Sequence, residues 1–136
     1  LPFEELDHLV KSLQPDCMLM NIGCQEGLSG TDVVFYENAA GQEVDHSFKG
    51  PGISCNKLTK TWFWRDEHQT APVTSAEWAL SKMKDYFPQN VNFMLNLSPS
   101  TTGLVDENLA QEFARIGKTF QMPAPLDALP EGWLKR

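Results

Sequence analysis

Residues 74–98, TSAEWALSKMKDYFPQNVNFMLNLS, read as one helix followed by one strand. Thr74 opens a Thr-x-x-Glu capping box with Glu77, in which the hydroxyl accepts from the backbone and the carboxylate reaches back. Ala76, Ala79, Leu80, Met83, Tyr86 and Phe87 then recur at the i, i+3, i+4, i+7 spacing of an amphipathic helix. Pro88 closes it. Residues 91–97 follow as a strand, with Asn92 and Asn96 on one face.

Outward from this unit the same alternation repeats. Phe3, Leu6, Leu9, Val10 and Leu13 share helical spacing, with acids early and Lys11 late, as the helix dipole favours. After Pro15, residues 17–20 predict a short buried strand. Residues 21–61 are rich in turn residues and predict a long functional loop, within which residues 32–37 form a β-branched and aromatic strand. Residues 61–64, Thr-Trp-Phe-Trp, predict a further strand, and Leu109, Phe113, Ile116 and Phe120 a last helix from about Asp106. Pro123, Pro125 and Pro130 make residues 121–136 an extended exit segment. Helices alternating with short apolar strands, without hairpin turns, predict a parallel α/β fold. About three βα units are too few for a closed (β/α)8 barrel of roughly 250 residues, so the expectation is part of such a barrel.

The chain has 136 residues, a net charge of −7 and a pI near 4.8, with 41% hydrophobic and 21% charged residues. Those fractions are ordinary for a globular domain. Without a basic cluster the sequence argues against a nucleic-acid partner. No apolar run reaches the roughly 18–20 residues of a membrane span. Three cysteines, Cys17, Cys24 and Cys55, form neither a disulfide framework nor a zinc site, and His8, His46 and His68 lack metal-ligand spacing. No metal or organic cofactor is expected. Leu1 in the place of an initiating Met sets the expectation of further coding sequence upstream.

Chemistry in parallel α/β folds collects at the carboxyl ends of strands. That rule selects Glu37, at the end of an aromatic run, as the carboxylate best placed for acid–base work; an apolar surround would suit a general acid. A solvated strand-end Glu is the plainer alternative, and Glu43 and Glu26 are rivals in the same region. Trp62 and Trp64, two residues apart, would share a strand face suited to stacking on sugar rings, or would fill the core. Asn96-Leu97-Ser98 matches the glycosylation sequon but falls on a strand, and is expected to be a chance match.

Several motifs resemble, in order, the C-terminal half of the catalytic domain of the α-L-fucosidase glycoside hydrolases. They are Leu13-Gln14-Pro15-Asp16, the run from Thr31 to Gln42, Thr61-Trp62-Phe63-Trp64, Asn92-Phe93-Met94-Leu95-Asn96-Leu97-Ser98-Pro99, and Thr102-Gly103-Leu104-Val105-Asp106-Glu107. The resemblance implies that residues 1–120 are the C-terminal part of a (β/α)8-type barrel. It implies removal of terminal α-L-fucose from a fucosylated glycan or glycoside by a retaining mechanism with two carboxyl groups about 5–5.5 Å apart. The family's nucleophile is an Asp in a Trp-Phe-Asp-Gly type motif. This chain has no such motif, so the nucleophile and the N-terminal half of the barrel are expected upstream. Glu37 is the candidate acid/base, although its Tyr36-Glu37-Asn38 setting is offset by about two positions from a Gly-Asn-Glu form. Asn56 stands where relatives often have Asp, Trp62 and Trp64 match the aromatic strand near the sugar, and Asn96 matches a position that braces loops. The family setting implies a secreted, periplasmic or lysosomal protein. The rival expectations are a non-catalytic fucose-binding chain and an inactive truncated product whose unpaired strand edges aggregate.

Overall fold

The computed structural model describes residues 2–22, 28, 30–124, 127–128 and 131. Helix α1 (Phe3–Leu13) carries Glu4 and Glu5 in its first turn and Lys11 in its last. Lys11 pairs with Asp32 at 2.9 Å, and the Leu19 amide donates to the same carboxylate at 2.8 Å. One acid thereby ties the first helix to the start of the sheet.

The sheet has four strands in the order β1 (Met20–Ile22), β2 (Val33–Glu37), β3 (Gly52–Lys57) and β4 (Val91–Asn96). Every neighbouring pair is parallel. This is the expected parallel α/β class with the expected number of strands, but the third strand is residues 52–57 and not 61–64. β3 reads Gly-Ile-Ser-Cys-Asn-Lys and shows no apolar alternation, because Ser54 and Asn56 occupy fully buried positions. Asn56 Nδ2 donates to the Ser54 carbonyl and hydroxyl, both at 3.0 Å, which offsets part of the cost of burying these groups, while Asn56 Oδ1 has no hydrogen-bond partner among the described residues. The expected loop across residues 21–61 thus holds a second strand, β3, besides the one expected at residues 32–37. The β2–β3 crossover places Val44 in the core with Tyr36, Tyr86 and Val91. It returns through Gly50, where an added Cβ would stand 2.4 Å from the Asn90 carbonyl oxygen. Only glycine permits that approach.

β1 begins later than residues 17–20 suggest; Met18 is 73% exposed and only Asn21 of the strand is buried. The expected strand at residues 61–64 is instead a series of bends. α2 (Ala76–Tyr86) starts one residue beyond the Thr74 box, since Ser75 is the N-cap and its side chain accepts from the Trp78 amide. α3 (Glu107–Thr119) packs on α2 around Leu58, Ala76, Ala79, Leu109 and Ile116. Polar links join the same two helices: the Ala76 amide donates to Glu112 at 2.6 Å, and Arg115 bridges Glu112 and Glu77.

Both apolar clusters lie on one face of the sheet, which carries Val34, Tyr36, Val91, Phe93 and Leu95. In-register residues of parallel strands share a face, so the alternate residues, among them Met20, Ile22, Glu37, Cys55, Met94 and Asn96, form the other. That face is largely open: Met20, Ile22 and Met94 are 45%, 60% and 43% exposed. Parallel sheets are ordinarily covered on both faces. Residues 121–124 have no regular structure, and Pro125, Pro130, Glu26 and Cys24 lie outside the described residues. Among the described residues no helix is long and apolar enough to cross a membrane, and no group of three His, Cys, Asp or Glu side chains forms a metal site.

Candidate functional site

Glu37 is the last residue of β2 and projects from the open face at its carboxyl end. Its backbone is held by Gln42: the Glu37 amide donates to Gln42 Oε1 at 2.9 Å and the Gln42 amide donates to the Glu37 carbonyl at 3.2 Å. Gly41, at φ 86°, supplies the left-handed residue that closes this turn. In register with Glu37 stand Cys55 on β3 and Met94 on β4, whose sulfur atoms are 3.5 Å apart. Burial pushes the Cys55 thiol up, and the neighbouring Glu37 carboxylate pushes it further. Both effects favour a thiol over a reactive thiolate. Glu37 itself is exposed, so the apolar enclosure expected around a general acid is not supplied by the described residues. One step nearer the rim on the same face, Lys57 and Asn96 pair in register.

Glu43 is elsewhere. It lies on the helix side, 3.3 Å from Lys82 Nζ and 3.5 Å from the Tyr86 hydroxyl. Its carboxyl is held below the usual range, first by the Asn38 amide, which approaches without full hydrogen-bond geometry, and then by Lys82 and Tyr86. A carboxylate kept ionised in an ion pair has no proton to give near neutrality, so the structure separates Glu43 from the strand-end site.

The aromatic run is built differently from a strand. Thr59 Oγ1 donates to the Thr61 carbonyl and Thr61 Oγ1 to the Phe63 carbonyl, both at 2.8 Å. The Trp62 carbonyl accepts from Asn96 Nδ2 at 2.7 Å and Ser98 Oγ at 2.6 Å, at the end of β4. Asn96 therefore braces a loop, as its position implies, and the sequon side chains are committed to this contact. Because the single Thr61 hydroxyl proton goes to Phe63, His68 must carry its hydrogen on Nε2, 3.1 Å away. Buried His68 Nδ1 has no hydrogen-bond partner among the described residues. Trp64 Nε1 donates to Asp106 Oδ2 at 2.8 Å, and Asp106 occupies the N-cap position of α3 without capping it through its side chain.

Trp62 and Trp64 are both half-buried and do not share a strand face. The ring displayed to solvent is Phe63, 79% exposed. An apolar groove of about 430 Å3, lined by Leu80, Met83, Phe87, Phe120 and Pro123, lies away from Glu37, beside the carboxyl ends of α2 and α3.

No family model and no curated protein matches the chain. The fold is that of part of the α-L-fucosidases of known structure. α-L-Fucosidase isoenzyme 1 from Paenibacillus thiaminolyticus superposes with a TM-score of 0.64 at 16% identity, over 85% of this chain and 29% of that one. The α-L-fucosidase AlfC from Lactobacillus casei, in complex with α-L-fucose product, superposes at 0.57 with 16% identity, over 85% and 35%. Its D200A mutant in complex with 4-nitrophenyl-α-L-fucopyranoside gives 0.56 at 14% identity, again over 85% and 35%. The chain thus spans about a third of the proteins it resembles.

Proposed function

We propose that the chain is the C-terminal part of a (β/α)8-type glycoside hydrolase barrel acting on terminal α-L-fucosides, with residues 1–120 in the barrel and 121–136 leading out of it. The observation that carries this reading is Glu37 at the carboxyl end of a strand, on the open face of a parallel sheet with an α-L-fucosidase-like fold. An Asp upstream of this chain attacks the anomeric carbon while Glu37 gives its proton to the departing glycosidic oxygen. Glu37, now a carboxylate, takes a proton from water as that water attacks the same carbon and releases the Asp. The partner is a fucosylated glycan or glycoside, with water as acceptor and no cofactor. The segment upstream supplies the rest of the barrel, covers the open sheet face and encloses Glu37.

The test is hydrolysis of 4-nitrophenyl α-L-fucopyranoside by the longest polypeptide of the reading frame, with the first-formed sugar observed by NMR. Early appearance of the α anomer is expected. An early β anomer contradicts the retaining mechanism, and absence of fucose release contradicts the hydrolase reading in favour of a binding or inactive chain.

A further inference from the structure

A single exposed aromatic ring is ordinary on a protein surface. Phe63 differs in how its backbone is held. The carbonyls of Thr61, Trp62 and Phe63 each accept a side-chain hydrogen bond, and the following residue, Trp64, is pinned to Asp106. His68 fixes Thr61 from below. The bend is preset, so displaying the ring there to a ligand carries little ordering cost. Anchorage to Asn96 and Ser98 puts the bend at the carboxyl end of β4. That is two strands from Glu37, about 10 Å at ordinary strand spacing.

We infer that Phe63 is a substrate-contacting residue for the leaving group, stacking on the ring attached to fucose through the scissile oxygen. The inference rests on the fucoside reading above and assigns a specificity determinant to it. In an enzyme that removes a terminal sugar, the sugar is enclosed and the leaving group emerges toward solvent. Phe63 is 79% exposed on a bend anchored to the carboxyl end of β4, whereas its neighbours Trp62 and Trp64 are half-buried. The ligand chemistry is a flat apolar ring face: the C–H face of a pyranose in a glycan, or the nitrophenyl ring of a synthetic fucoside.

The test, in the longest polypeptide of the reading frame, compares KM for 4-nitrophenyl α-L-fucopyranoside with the inhibition constant of methyl α-L-fucopyranoside, which share fucose and differ in the leaving group. The wild-type polypeptide is expected to bind the nitrophenyl compound more tightly. Phe63→Ala should weaken that binding by about 3–10-fold and leave methyl fucoside unchanged. Phe63→Tyr should restore the preference, and Phe63→Leu should not, which separates stacking from general apolar contact. Equal weakening of both ligands, an unchanged preference in Phe63→Ala, or no binding of the nitrophenyl compound overturns the assignment. The hydrolysis assay above judges the fucoside reading separately, since fucose release with an unaltered preference would refute Phe63 alone.

Discussion

Glu37→Gln, in the polypeptide that includes the upstream nucleophile, should cut fucose release from substrates with poor leaving groups by about 10²–10⁴-fold, the usual contribution of a general acid. The amide keeps the size and the backbone turn held by Gln42 but has no proton of suitable acidity. Activated substrates such as 4-nitrophenyl fucoside depend less on protonation of the leaving oxygen, so their first step should suffer less. Glu43→Gln should leave turnover nearly unchanged, because Glu43 faces Lys82 and Tyr86 on the helix side. Steady-state kinetics on both substrate types decides between the two acids. Loss of activity in Glu43→Gln with retention in Glu37→Gln would reverse the assignment.

Leu58→Ala should lower the unfolding free energy by about 2–5 kcal/mol. Leu58 is 1% exposed and sits where the chain leaves β3, against Ala76, Ala79, Leu109 and Ile116. Its carbonyl also accepts from the Thr74 amide at 2.8 Å, which joins the strand end to the entry of α2. The neighbouring alanines cannot fill the space a removed isobutyl group leaves, so the cavity cost adds to the lost transfer energy. Leu13→Ala, at a site 75% exposed, should change stability by less than about 0.5 kcal/mol. Urea denaturation of the two variants measures the contrast. A loss below about 1 kcal/mol for Leu58→Ala would mean that α2 and α3 do not close over the sheet as described.

What could be read from the sequence follows the strength of local periodicity. α2, α3 and β4 carry apolar residues at regular spacing, and they form close to where that spacing puts them. β3 was hidden because its buried face bears Ser54 and Asn56, whose polar side chains break the apolar rule. Residues 61–64 misled in the opposite sense. β-Branched and aromatic residues suit a strand, yet Thr59 and Thr61 each bond a carbonyl two residues on and fold the chain into bends. The same feature explains why Phe63 went unnoticed beside two tryptophans. Alternating threonines before an aromatic run were the available signal. The place of Glu37 at a strand end was legible from the aromatic run before it, whereas its separation from Glu43 required the path of the crossover past Lys82.

In the proposed fucoside hydrolase the nucleophile lies on a strand that precedes this sheet. In-frame translation of the encoding DNA upstream of Leu1 decides whether that strand exists. An open frame with an aromatic strand ending in Asp, in a Trp-Phe-Asp-Gly type setting, is the expected result. A stop codon or an unrelated sequence at that point would contradict it and leave Glu37 without a catalytic partner.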